Sequence, residues 1–148
     1  MNEHGITLRV TASAGDVARV AVRRQQFAVG RPIEFDEAAE RIAAIEYALG
    51  AAGGEIVNGL RVFAERRRLE IDAIEAVVTA DLEHALAYLE VIGEPGRPLI
   101  RHVHIKVFAS CSDQPAVREL FETVRNKLPL IALFAAATRL TTDLTFTA

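Results

Sequence analysis

The segment from Ile42 to Phe63 constrains this chain more than any other, because it asks for a helix and carries four residues that weaken one. Ile42, Ile45, Leu49, Ala52, Ile56, Leu60 and Phe63 recur every three or four positions, the spacing of a single helical face. Gly50, Gly53, Gly54 and Gly59 lie inside the same stretch, and each costs about 1 kcal/mol relative to alanine in a helix interior. A sequence that carries this cost needs backbone to approach backbone closely, or needs a bend that shapes a site. The expectation is a long central helix packed on a sheet and on its own copy in a dimer.

The flanking segments set the fold class. Ile6, Leu8 and Val10 alternate with Thr7, Arg9 and Thr11, a period of two that suits a strand. Ala14-Gly15-Asp16 is a turn signal, and Val17 to Val29 reads as a hairpin ended by Gly30-Arg31-Pro32. Asp36 is expected to cap the long helix, with Glu37 and Glu40 in its first turn and Arg66-Arg67-Arg68 at its end. The triple arginine reads as a solvated helix end, with phosphate binding as the alternative. Leu69 to Ala80 and Ile100 to Phe108 alternate as strands, and residues 84–92 fit a strand better than a short helix.

Gly93 to Pro98 is a turn. Ser112 or Asp113 caps a second helix through Val117, Leu120, Phe121 and Val124, which ends before Pro129. Leu130 to Ala137 is short and apolar, and Arg139 to Thr147 closes the chain as a strand. The pattern predicts one α+β domain over residues 1–148, with largely antiparallel sheets packed around the long helix.

Composition narrows the function classes. The chain has 148 residues, enough for a core without disulfide or metal support. A net charge of −3 argues against nucleic acid or an anionic membrane surface as partner. The longest apolar run, Leu128 to Ala137, is about half of the ~20 residues that span a bilayer. Met1-Asn2-Glu3-His4 is polar and does not read as a targeting signal. Cys111 is the single cysteine, so no internal disulfide is available, and a cytoplasmic location is expected.

Three groups of residues bear chemistry. Glu46 and Glu55 stand nine positions apart, which puts them on opposite faces of a straight helix. Converging through a kink or across a dimer, they would serve as acid and base or hold a metal. Otherwise Glu46 pairs with Arg19, Arg23 or Arg31, and Glu55 is partly solvated. His102 and His104 share one face of a strand; with a carboxylate they would suit zinc, but no zinc-site spacing accompanies them, and an exposed or interface face is the expectation. Cys111 precedes a helix, a placement that can lower a thiol pKa. No phosphate-binding glycine loop or nucleophile elbow is present, and neither a cofactor nor a metal is expected.

Local strings add a resemblance that covers most of the chain. Leu60-Arg61-Val62-Phe63-Ala64-Glu65-Arg66 is similar to the Leu-Arg-x-Tyr/Phe-Ala-x-Arg string of the osmotically inducible protein C and organic hydroperoxide resistance (OsmC/Ohr) superfamily. Counted back without gaps, Glu46 falls on that family's glutamate and Glu55 on its reactive cysteine. Leu128-Pro129-Leu130 stands where the family has Cys-Pro-Val, so the second cysteine position is Leu128.

The resemblance implies an OsmC-like fold and an intertwined homodimer. Its interface clefts would be lined by Glu46, Glu55, Leu128 and an N-terminal arginine such as Arg31. The family is a thiol-dependent peroxidase, but that reaction needs a thiolate to attack the O–O bond and a second thiol to resolve the sulfenic acid. Glu55 and Leu128 stand at both positions, so no thiol peroxidase activity is expected. The leading expectation is a stress-response relative that binds a small hydrophobic ligand against Phe63, Leu128, Leu130 and Phe134. The alternatives are a non-thiol enzyme using Glu55, or residual peroxidase activity through Cys111.

Overall fold

The computed structural model describes residues 3–148; Met1 and Asn2, the start of the polar N-terminus, lie outside the described residues. The elements run β1 (Arg9–Thr11), β2 (Ala18–Val22), β3 (Gln25–Val29), α1 (Ala44–Arg66), β4 (Ala73–Glu83), a 3-10 turn (Ala85–Leu89), β5 (Leu99–Ser110), α2 (Gln114–Arg125), α3 (Pro129–Ala137) and β6 (Arg139–Phe146). This is an α+β chain with two three-stranded sheets. It divides after Ala48 into two compact units.

In the first unit β1, β2 and β3 form an antiparallel sheet, with Val10, Val20 and Phe27 in one cross-strand row. The alternation from Ile6 predicted a longer first strand; pairing begins only at Arg9, and Ile6 is exposed. Asp16 shapes the turn before β2. The Val17 N–H, at 2.8 Å, and then the Arg19 guanidinium hold its carboxyl below the ordinary value. Tyr47 donates its hydroxyl to the Ala28 carbonyl and sets its ring against Phe27.

The helix starts later than expected. Asp36 accepts the Ala38 N–H within a turn and does not cap α1. The Gly30 N–H donates to the Ile42 carbonyl and the Ala44 N–H to the Arg31 carbonyl, so the backbone there is committed before the helix can form. The cap comes instead from Glu46, whose carboxylate accepts the Ala43 N–H at 2.7 Å. This is half of a capping box, because Ala43 has no side-chain oxygen to complete it.

In the second unit β5 is the middle strand, antiparallel to β4 and parallel to β6. The parallel pair departs from the antiparallel expectation, and α2 and α3 explain it. A parallel neighbour needs a long crossover, and the two helices supply one. Val103, Ile105, Val107 and Ala109 of β5 are buried on one face. They meet Ala52, Ile56, Leu60 and Ala64 of α1 and Val117, Leu120, Phe121 and Val124 of α2. Asp113 caps α2 as expected, accepting the Ala116 N–H at 3.1 Å. The apolar run from Leu130 is helical, as α3.

Three further boundaries shift for local reasons. The strand expected from Leu69 begins at Ala73, since the Leu69 N–H returns to the Ala64 carbonyl while Arg68 takes φ 55 and the Arg68 N–H reaches the Glu65 carbonyl. That is a Schellman ending, made here without glycine. Residues 84–92 form no strand: His84 and Glu90 adopt left-handed backbone at the two ends of a 3-10 turn, which interrupts the extended run. The final strand stops at Phe146 rather than Thr147.

The four helix glycines separate into two kinds. A Cβ on Gly53 would lie 2.7 Å from Val78 Cγ2, and one on Gly59 would lie 2.7 Å from Leu128 Cδ2. Gly50 and Gly54 face open space. Close packing therefore accounts for Gly53 and Gly59 alone. Gly53→Ala and Gly59→Ala are each expected to lower stability by about 1–3 kcal/mol through overpacking, despite alanine's better helix propensity. Chemical denaturation reads this directly, and an unchanged midpoint for both would refute the close-packing account.

Candidate functional site

The site begins at a helix that cannot cap itself. Leu128 is the N-cap of α3 and offers no side-chain acceptor; Pro129 follows at the first helical position and has no N–H. The next two donors, the N–H groups of Leu130 and Ile131, are orphaned by helix geometry. Glu55 supplies both acceptors from α1: one carboxylate oxygen takes the Leu130 N–H at 2.9 Å and the other takes the Ile131 N–H at 3.0 Å. These are charge-assisted bonds at the positive end of a helix, so charge and geometry act together.

Gly59 makes that reach possible. It lies one turn after Glu55 on the same face, and its missing side chain lets Leu128 sit against the helix backbone. Leu128 is buried there, and Ile131 is buried one turn further on. Glu55 and Leu128, the positions that the sequence resemblance sets against cysteines, are thus brought to one junction between α1 and the start of α3. A carboxylate and a leucine occupy it.

The other predicted residues have separate settings. Leu130 is half-buried beside the Glu55 carboxylate, and Phe134 packs against the core. Phe63 is half-buried, with Arg66 Cζ 5.0 Å and Lys127 Nζ 5.9 Å from its ring centroid. Glu46 is exposed, and its partner is the Ala43 N–H rather than Arg19, Arg23 or Arg31. Arg31 is exposed, and its carbonyl accepts the Ala44 N–H.

His102 and His104 share the outer face of β5, with near-parallel rings 6.0 Å apart. His102 Nε2 meets Thr141 Oγ1 at 2.8 Å, and His104 Nε2 meets Asp143 Oδ2 at 2.5 Å. Among the described residues no group of three or more His, Cys, Asp or Glu side chains is arranged to hold a metal. No helix among them is long and apolar enough to cross a membrane.

Cys111 lies between β5 and α2, half-buried against the core. Burial first, then the negative charges of Asp113 and Asp72, push its thiol above the ordinary value. That is the opposite of what a peroxide-attacking thiolate requires. The signal for Glu55 was present in the sequence as an unpaired acid in a glycine-bearing stripe, together with an uncappable Leu128-Pro129. What linked the two was a contact across 75 residues, which no local pattern carries.

No family model matches the sequence, and no curated protein sequence matches it. Solved structures do. An OsmC-like protein from Mycoplasma pneumoniae superposes with a TM-score of 0.78 at 9% identity, covering 99% of this chain and 100% of that one. An organic hydroperoxide resistance protein OsmC from Legionella pneumophila gives a TM-score of 0.67 at 10% identity, over 97% of this chain and 99% of that one. The organic hydroperoxide resistance protein OhrB of Bacillus subtilis gives 0.60 at 14% identity, over 94% and 98%. The chain has the OsmC-like fold.

Two outcomes test the site. Glu55→Gln leaves one acceptor where two are needed and Glu55→Ala leaves none, so destabilisation of about 1–3 kcal/mol is expected, larger for alanine. Amide exchange at Leu130 and Ile131 should quicken in both, and unchanged exchange would sink the anchoring role. Cys111 should alkylate more slowly at neutral pH than a free cysteine peptide, and accelerate only above the ordinary thiol range. Because folding raises this thiol's pKa, the associated stability is whole at neutral pH and is lost as pH rises from the unfolded toward the folded value.

Proposed function

We propose that this chain is an OsmC-like stress-response protein that has exchanged thiol chemistry for a fixed carboxylate, and that residues 1–148 act as one domain of a homodimer. The observation that carries the reading is the Glu55 carboxylate, whose two oxygens each accept a backbone N–H at the start of α3. At the position that the resemblance sets against a reactive cysteine, this group anchors a helix. A carboxylate engaged in this way has no redox cycle, and its lone pairs toward α3 are taken, which argues against nucleophile or general base.

Leu128, which the resemblance sets against the second cysteine, is buried against Gly59. Cys111 is a poor substitute, since its surroundings favour the protonated thiol. The half-buried side chains of Leu130, Phe63 and Phe134 leave apolar surface. In this reading the surface borders a dimer-interface cleft that receives a small hydrophobic ligand. Support for a single domain comes from likenesses that extend over 94–99% of the chain. Support for the dimer is the open, small-residue face of α1 at Gly50 and Gly54.

Reduction of an organic hydroperoxide by a dithiol tests the reading with wild type, Cys111→Ser and Glu55→Gln. All three are expected to stay at the uncatalysed rate, and native mass spectrometry should give twice the chain mass. Turnover that vanishes in Cys111→Ser would restore the peroxidase reading. Turnover lost in Glu55→Gln would restore the carboxylate enzyme.

A further inference from the structure

A cavity of about 270 Å³ opens between the end of α2, one side of α3 and the inner face of β6. It is lined by Arg125 and Asn126, by Ile131, Ala132 and Ala135, and by Leu140 and Thr142. None of these residues stands at the positions matched to the family's cysteines or glutamate. The walls differ in character along its length. Ile131 is buried and Leu140 half-buried, and with the methyl groups of Ala132 and Ala135 they form an apolar side.

The other end is rich in donors. Arg125 Nη1 donates to Thr142 Oγ1 at 3.1 Å, Arg125 Nη2 pairs with Glu122 Oε2 at 2.6 Å, and Asn126 Nδ2 donates to the Glu122 carbonyl at 2.9 Å. A guanidinium has five N–H groups, and these bonds use two of them. Thr142 accepts from Arg125 and keeps its own hydroxyl hydrogen to donate. Asn126 keeps a second amide N–H. Donors therefore outnumber acceptors beside an apolar wall, and the fixed charge among them is positive.

Glu122 balances that charge on the surface. Its side chain is 54% exposed, and an exposed pair three residues apart on one helix contributes little, so sharing Arg125 with a second carboxylate costs little. Arginine matches a two-oxygen head bidentately, which an alcohol does not offer. The volume lies just below the 300–1,000 Å³ usual for ligand sites, which restricts the tail to a short one.

We infer that this cavity binds a short-chain aliphatic monocarboxylate, with its head on Arg125 and Thr142 and its tail along Ile131, Ala132, Ala135 and Leu140. The site stands apart from the dimer-interface cleft of the proposed function, and the outcome of one test does not decide the other.

Calorimetric titration of the full-length protein with hexanoate, and separately with hexan-1-ol, tests it. Hexanoate should bind saturably to wild type, more tightly than hexan-1-ol. Arg125→Gln should weaken hexanoate about tenfold or more, the loss expected for a hydrogen bond to a charged group, and leave hexan-1-ol unchanged. Ala135→Leu fills the cavity from an exposed position and should abolish both, while thermal melts report an intact fold. Absence of hexanoate binding up to tens of millimolar would overturn the inference. So would hexanoate binding that survives both substitutions, or equal losses for acid and alcohol in Arg125→Gln.

Discussion

Two hydrogen bonds from the Glu55 carboxylate to the Leu130 and Ile131 N–H groups tie the long helix to the start of α3, and much of the second unit's arrangement depends on them. Without an acceptor there, α3 would begin with two unpaired donors next to a buried leucine, at a penalty comparable to lost hydrogen bonds. Nine residues are too few to hold a helix by propensity alone. The carboxylate satisfies the donors, complements the helix dipole and sets where α3 leaves the core. From that point α3 carries the chain to β6, which pairs in parallel with β5 and completes the sheet.

The glycines and the carboxylate form one construction. Gly53 lets α1 approach Val78 of β4, and Gly59 lets Leu128 approach α1. Both shorten the distance between layers, and the second places α3 within reach of Glu55. The helix is therefore not broken by its glycines, since tertiary contact compensates two of them. It ends through a left-handed Arg68, whose backbone strain is offset by the paired carbonyls of a Schellman motif and by Leu69 packing back on the core.

The same junction defines the chemistry. Here α1 and the start of α3 come together through the Glu55 carboxylate and through Leu128 against Gly59. An interaction between a fixed anion and backbone donors is insensitive to oxidants, so the junction has structural permanence where a dithiol pair would cycle. The one thiol in the chain lies elsewhere, in surroundings that keep it protonated. The cavity beside Arg125 uses the other side of α3, so a single anchored helix serves both the core and a candidate ligand wall.

The sequence by itself determined the long helix, the alternation of β5, the Asp113 cap and the α+β class, because periodicity and capping are written in neighbouring residues. The strings around Leu60 to Arg66 and Leu128 to Leu130 carried the fold as well. Residues 84–92 misled through Leu86, Tyr88, Glu90 and Ile92 at every second position, a spacing that does not encode the left-handed backbone at His84 and Glu90. Asp36 misled in the same way, because backbone bonds from Gly30 and Ala44 claimed the segment before α1. The partner of Glu55, the parallel order of β5 and β6, and the division of the glycines into packed and open were decided only by tertiary structure. Each depends on which backbone groups and side chains face one another when distant segments meet, and that is a property of the assembled layers.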